Sequence, residues 1–391
     1  MRIGFSTSVM DRGRTGVAQY IFGLTQALAR RGQGHTLVLF VLEEDLPLFA
    51  SLGAAVRLVP VPERFRPPLR NIAWHQVTLP RLVRELGLDV LHIPSYRRML
   101  WSQPCPRVAT IHDLAPFHVT GKYDWRRMGY CRWVIPHLAR RQEAIITVSQ
   151  TTATDVRRWL GIGAERLTVI YNGIAHERFG LRPKPGEPPA PAARFEARRR
   201  FFLYVARLEH PGKNHLRLLE AFTRFKRESG GAWRLVLAGT DCHGAAAIHA
   251  GIRQSPFARD IHCLGFVPDE HLPALYRAAS CFVYPSLYEG FGLPVVEAMA
   301  CGCPVLCSTR GALAEVVGED ALTADPTDVE AITRQMRRLA SDVTLADRLR
   351  VAGLARARRF DWDAAAAATL QVYASLLRHP APCAVGRPIP A

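Results

Sequence analysis

Two carboxylates, Glu289 and Glu297, stand with seven residues between them in a stretch of Cys, Val, Phe, Gly and Pro. Cys281-Phe-Val-Tyr284 is an apolar run of the kind that forms a buried parallel strand. Gly290 and Gly292 permit a tight turn, Pro294 suits a first helical turn, and Gly302 ends the helix before Pro304-Val-Leu306 opens another strand. The spacing puts Glu289 just outside a helix N-terminus and Glu297 about one turn inside it. A helix N-terminus offers free amides and partial positive charge, so it attracts anions such as phosphate. A phosphorylated ligand on the amides of Phe291, Gly292 and Leu293 would have a carboxylate on each side, and carboxylates accept hydrogen bonds from paired hydroxyls. The arrangement suits a sugar nucleotide, with Glu297 toward the ribose and Glu289 toward the sugar. Read without that chemistry, it is a glycine-rich turn with two solvated glutamates.

The elements that must hold such a turn are those of an α/β sheet, and the chain supplies them twice. Met1–Ser6 reads as a strand, followed by the loop Asp11–Gly16 and a helix from Val17 to Arg31, stopped by Gly32. This opens a doubly wound α/β domain. Further strands are expected at Thr36–Leu42, Ala55–Val59, Asp89–Ile93, Arg107–Ile111, Ala144–Val148 and Leu167–Ile170, with Ser149 starting a helix. The proline-rich 182–197 segment divides the chain. Phe201–Val205, Trp233–Ala238 and Ile261–Leu264 then read as strands of a second α/β domain. Helices follow to a last one at 361–378, with Asp361 as N-cap. The tail 379–391 is expected to be disordered.

The run E-G-F-G-L-P-V-V-E-A-M-A-C-G-C-P-V resembles the signature of glycosyltransferase family 4, retaining enzymes of the GT-B fold. The resemblance implies two Rossmann-like domains facing across a cleft, 1–181 on the acceptor side and 198–360 on the donor side. The final helix would cross back onto the first. In V-A-R-L-E-H-P-G-K-N, Arg207 and Lys213 match the family's diphosphate-binding pair, where cations neutralise a leaving group. T-I-H-D-L-A-P resembles a bacterial mannosyltransferase subgroup, and its His112 would contact the donor sugar. Gly16 matches a donor-contacting glycine loop, and Val267 a position whose backbone meets the base.

The chain of 391 residues carries a net charge of +17, and all but four of its 51 cations are arginine. Nucleic acid, an anionic membrane, anionic ligands or simple base bias in the genome would each produce this. The cations are dispersed, which argues against nucleic acid. Basic and aromatic residues interleave in Pro60–Pro80 and in Tyr96–Trp101. The first stretch can lie on a membrane surface or be ordinary loop and helix, and the second can meet the acceptor. Asp124–Arg141 reads as a basic helix broken or kinked at Pro136. A core-packed helix with a solvated arginine face is the simpler reading, a membrane-facing helix the other. Nine scattered cysteines without paired C-x-x-C read as reduced, mostly buried thiols, hence a reducing compartment. No signal peptide or membrane span is expected, so the location implied is cytoplasmic, at most peripheral on the membrane.

The function implied is retaining transfer of a sugar, mannose first, from a nucleoside diphosphate sugar to a hydroxyl of a glycan or lipid-linked oligosaccharide. No metal or other cofactor is expected. Alternatives are a GT-B sugar-nucleotide epimerase, a non-catalytic sugar-nucleotide-binding subunit and a nucleic-acid-binding protein.

Overall fold

The structure is a computed structural model that describes residues 1–13, 15–31, 34–53, 56–121, 125–191 and 200–378. The expected helix stop at Gly32, strand start at Ala55, helix start at Asp124, linker residues 192–197 and tail 379–391 lie outside the described residues.

Seven strands build the first sheet: β1 (Arg2–Ser6), β2 (Thr36–Leu42), β3 (Val56–Val61), β4 (Val90–Ile93), β5 (Arg107–Ile111), β6 (Ala144–Thr147) and β7 (Leu167–Val169). Their order is β3-β2-β1-β4-β5-β6-β7. The second sheet takes β8 (Phe201–Val205), β9 (Arg234–Ala238), β10 (Ile261–Gly265), β11 (Cys281–Tyr284), β12 (Val305–Ser308) and β13 (Leu322–Ala324), in the order β10-β9-β8-β11-β12-β13. Every pairing is parallel. Helices cover both faces, so central strands such as β2 and β8 are apolar nearly throughout and buried. Each sheet changes winding direction beside its first strand, at β1/β4 and at β8/β11. Ligands of such sheets gather at the strands' carboxyl ends there.

The last helix, Trp362–Arg378, leaves the second sheet and packs on the first helix, Gly16–Arg31. Asp361 Oδ1 accepts from Ala364 N at 2.9 Å, which is the expected cap. The packing is close: a Cβ at Gly23 would stand 2.1 Å from the Trp362 ring. Behind it, Tyr373 OH and Thr110 Oγ1 hydrogen-bond the two ring nitrogens of buried His92, at 2.5 and 2.7 Å.

Two stretches differ from the sequence reading. Pro60–Pro80 is more regular than its prolines suggest and takes the loop-and-helix form, with Leu69 and Val77 exposed on its outer side. β3 runs through Pro60, which an edge strand tolerates, and a helix spans Pro68–Glu85. Pro68 sits in its first turn, Pro80 is accommodated within it, and Trp74 is buried against Phe40. In 125–139 the helix is not broken at Pro136 but widened ahead of it. Trp125–Gly129 is α-helical, Tyr130–Val134 is a π turn, and Ile135–Ala139 is α-helical again. Proline has no N–H for the preceding turn, and a wider turn absorbs the loss. Cys131, Ile135 and Leu138 face the core as expected, yet Trp125 and Trp133 stand in solvent.

No helix among the described residues is long and apolar enough to cross a membrane. The eight described cysteines are all free thiols, five of them buried.

Candidate active site

β11 ends at Tyr284, and the chain turns through Pro285–Gly292 into the helix Leu293–Ala300. Gly292 takes φ 98°, a left-handed conformation that side chains resist. Gly290 is needed for a different reason: a Cβ there would lie 1.7 Å from the His112 carbonyl oxygen, on the other half of the molecule. The amides of Phe291, Gly292 and Leu293 head the helix and line the cleft, with Pro294 behind them.

Glu289 is the centre of a four-residue cluster. Its Oε1 accepts from Lys213 Nζ at 2.6 Å, from Tyr284 OH at 3.3 Å, and from the Ser286 hydroxyl. Lys213 Nζ also donates to Tyr284 OH at 3.2 Å. Burial works against the lysine's charge, but the adjacent carboxylate outweighs it and holds the Lys213 pKa above its usual value. Oε2 makes no hydrogen bond to a described residue, which leaves one acceptor of this fixed carboxylate for a ligand.

Glu297 is 8% exposed, inside the helix, and accepts from Tyr276 OH at 3.0 Å. Burial pushes its carboxyl up to about 7, against the opposing pull of Arg178 and the Tyr276 hydrogen bond. Arg207 follows β8 and pairs with Glu209 at 3.1 Å, half exposed. His112 follows β5. Its Nε2 lies 3.0 Å from the Pro94 carbonyl, which can only accept, so this nitrogen carries the proton in the neutral ring. Burial lowers the His112 pKa, favouring that neutral form, and Nδ1 is then an acceptor.

One cleft of about 1350 Å³ between the halves is lined by His112, Gly16, Arg207, Lys213, Glu289, Glu297 and the Phe291–Leu293 turn. It exceeds the ~300–1,000 Å³ of a single small-molecule site, so it has room for two substrates. Of the residues singled out in the sequence, only Val267 stands back. Its side chain is buried in the core, while its neighbours Phe266 and Pro268 reach the cleft. A Cβ on Gly16 would meet nothing within 4 Å, so packing does not demand glycine there. Tyr96, Arg97 and Arg98 line the first-sheet wall. Among the described residues no cluster of three or more His, Cys, Asp or Glu side chains is placed to hold a metal ion.

Several contributors carry no sequence signal. Tyr284 and Tyr276 read as strand and helix core, and Ser286 as part of the turn that follows the strand. Two contacts clasp the halves beside the site. Glu315 accepts from Gln150 N, Thr151 N, Thr151 Oγ1 and Tyr171 OH at 2.7–2.9 Å, so a carboxylate of the second half caps a helix of the first. Asp155 accepts from Tyr288 OH and meets His118 Nε2 at 2.7 Å, while the His118 and Tyr288 rings stack at 4.2 Å.

The likenesses to known proteins agree with this geometry. Residues 191–356 match the profile of Glycosyl transferases group 1, and residues 14–178 that of Glycosyltransferase Family 4. The O-antigen chain mannosyltransferase B of Escherichia coli is 33% identical over 267 residues, 68% of this chain and 69% of that one. The MMP alpha-(1->4)-mannosyltransferase of Mycolicibacterium hassiacum is 31% identical over 291 residues, 71% of this chain and 67% of that one. Sucrose-phosphate synthase from Thermosynechococcus elongatus superposes with a TM-score of 0.78 at 22% identity, covering 97% of this chain and 99% of that one. Anabaena HepE, solved with UDP and glucose, gives 0.75 at 19% identity, covering 96% and 100%. Two parallel sheets facing across a substrate cleft define a GT-B glycosyltransferase. The chain belongs to glycosyltransferase family 4.

Proposed function

We propose that the protein transfers a sugar, mannose in the first instance, from a nucleoside diphosphate sugar to a hydroxyl of a glycan or lipid-linked oligosaccharide. The process served would be cell-surface polysaccharide assembly, with retention at the anomeric carbon. The observation that carries this reading is Glu289. One oxygen is fixed by Lys213, Tyr284 and Ser286, and the other, in the cleft wall, makes no hydrogen bond to a described residue. The names of the mannosyltransferase relatives favour mannose.

In this reading the diphosphate lies between Arg207, Lys213 and the amides of Phe291–Leu293. Those groups stabilise the charge that develops as the bond from the sugar C1 to the phosphate oxygen breaks. They can supply the electrostatic role that a divalent cation fills elsewhere, so transfer should proceed without added metal. Glu289 Oε2 accepts from a sugar hydroxyl, and Glu297 accepts from the ribose. Neutral His112 accepts from the sugar through Nδ1. The backbone near Val267, between Phe266 and Pro268, meets the base, and Gly16 lets the backbone approach the donor. The acceptor oxygen bonds to C1 on the face the diphosphate leaves, and its proton passes to the departing phosphate oxygen.

The test is a thermal-shift series with UDP, GDP, ADP and their common sugars, with EDTA and with magnesium. Saturation at 100 times the dissociation constant adds about 2.7 kcal/mol. A shift with one base family in EDTA supports the site. No shift with any nucleotide, in either condition, removes it. Anomeric analysis of the product then decides retention.

A further inference from the structure

The segment 125–139 exposes two tryptophans, Trp125 at 78% and Trp133 at 80%. Eight positions separate them, which in a regular helix would leave them about 80° apart, on one broad face. The π turn at Tyr130–Val134 changes the phase. One α turn of about 3.6 residues and one π turn of roughly 4.4 close two full turns in eight residues, so both indoles project from one side. The stripe continues beyond them. His137, one turn past Trp133, stacks on the Trp101 ring at 5.1 Å, and the Arg141 guanidinium lies 4.1 Å from the same ring centroid. Trp101 is itself 54% exposed. Arg126 lies 5.1 Å from the Trp125 ring centroid, and Arg127, Arg132 and Arg140 are exposed alongside. The opposite side of the segment, with Cys131, Ile135 and Leu138, packs into the core. The outward face is therefore fixed, aromatic and basic.

The segment itself is uniformly basic: residues 125–141 hold five arginines and no aspartate or glutamate. From this juxtaposition we infer that the Trp101–Trp125–Trp133 face is a docking surface for an anionic lipid bilayer. Indoles settle at the water–hydrocarbon boundary, and the flanking guanidiniums pair with lipid phosphates and carboxylates. The face lies beside the cleft mouth. Tyr130, on the flank of the same segment, donates to the Arg97 carbonyl at 3.2 Å, and Arg97 lines the cleft. Docking would turn the first-sheet wall of the cleft toward the bilayer. The consequence that an acceptor sugar arrives on a lipid carrier rests on the transferase reading. The docking itself does not.

The experiment is co-sedimentation of the full chain with phosphatidylcholine vesicles with and without 30% phosphatidylglycerol. Quenching of tryptophan emission by brominated lipid follows insertion. Wild type should bind only the anionic vesicles and be quenched. Trp125→Ser with Trp133→Ser should lose roughly tenfold in affinity and the quenching, and each of Arg126→Gln and Arg132→Gln about fivefold in affinity. The donor-induced thermal shift, or the melting temperature if no donor binds, reports that the variants are folded. No binding to anionic vesicles, or serine variants that bind and quench like wild type, overturns the inference. So does duplex DNA that binds the same face and displaces vesicles, or a dimer that the serine substitutions dissolve. Failure of every nucleotide to bind while vesicle docking persists would remove the transferase reading and leave this one standing.

Discussion

Replacing Glu297 by glutamine should stabilise the protein in mild alkali and weaken its hold on the donor. Glu297 is buried and its carboxyl titrates near 7 instead of the usual 4.5, because burial disfavours its charge. The raised value means that the folded state binds the proton more tightly than the unfolded one. The associated stability is therefore complete below about pH 4.5 and is lost as pH rises through about 7. At about 1.4 kcal/mol per unit, the folded protein forfeits about 1 kcal/mol by pH 5 and about 3 kcal/mol by pH 8. Glutamine keeps an acceptor for Tyr276 and never ionises, so it forfeits nothing. Any fixed difference between the amide and the neutral acid cancels on comparing the two pH values. The stability of E297Q relative to wild type should thus grow by roughly 2 kcal/mol between pH 5 and pH 8, read from urea unfolding at both. Donor affinity should move the other way. Exchanging a charged acceptor for a neutral one at the ribose costs about 1.5 kcal/mol or more, tenfold or worse in dissociation constant. A stability difference that is flat in pH would show that no uncompensated buried charge sits at 297. An unchanged donor constant would remove Glu297 from the site.

Glu289→Ala and Lys213→Ala should each lower turnover by ~10²-fold or more while the circular dichroism spectrum stays that of wild type. Near-normal turnover in either excludes that residue. Gly290→Ala puts a Cβ where the His112 carbonyl oxygen now stands, at 1.7 Å, so the halves must part by more than an ångström. That should cost ~10²-fold in kcat/KM, and scattering should report a larger radius of gyration. Glu315→Ala removes the acceptor of four hydrogen bonds across the same boundary. It should raise KM more than it lowers kcat, and an unchanged KM would show that the clasp plays no part in closing the cleft. Gly16→Ala should leave the melting temperature unchanged, since nothing lies within 4 Å of the added carbon, yet weaken the donor. Unaltered donor binding takes Gly16 out of the site.

The parts of this molecule that were legible in the sequence are those written in local residue types. Apolar runs of four to seven residues located β2, β5, β8 and β11, and Gly290, Gly292 and Pro294 located the turn between Glu289 and the helix. The helix Pro68–Glu85 was only one of two readings of its stretch because its prolines argue for breaks. They are tolerated here by position, and Trp74, Leu79 and Val83 supply the buried face. The phase of Trp125 and Trp133 was invisible for a related reason: the π turn that aligns them answers to Pro136, further along the chain. Tyr284 and Ser286 sat within the recognised stretch, but only the fold shows both hydroxyls converging on Glu289 Oε1. Glu315, Asp155 and Tyr288 act between halves more than a hundred residues apart in sequence, a relation that local spacing cannot record.

The two passages of the chain between the sheets touch one another. Ile174 N donates to Phe360 O at 3.2 Å, Ile174 bridges Asp361, and a Cβ on Gly173 would stand 2.2 Å from Trp362 N. A body joined to another at two distant points resists rotation, and one joined by a single thread tumbles freely. Two threads that meet at one spot act as a pivot, and any swing of one half about it grows with distance from the pin. Gly173 is the clearance in that hinge. A side chain there would force the two threads apart where they meet, at the edge of the cleft.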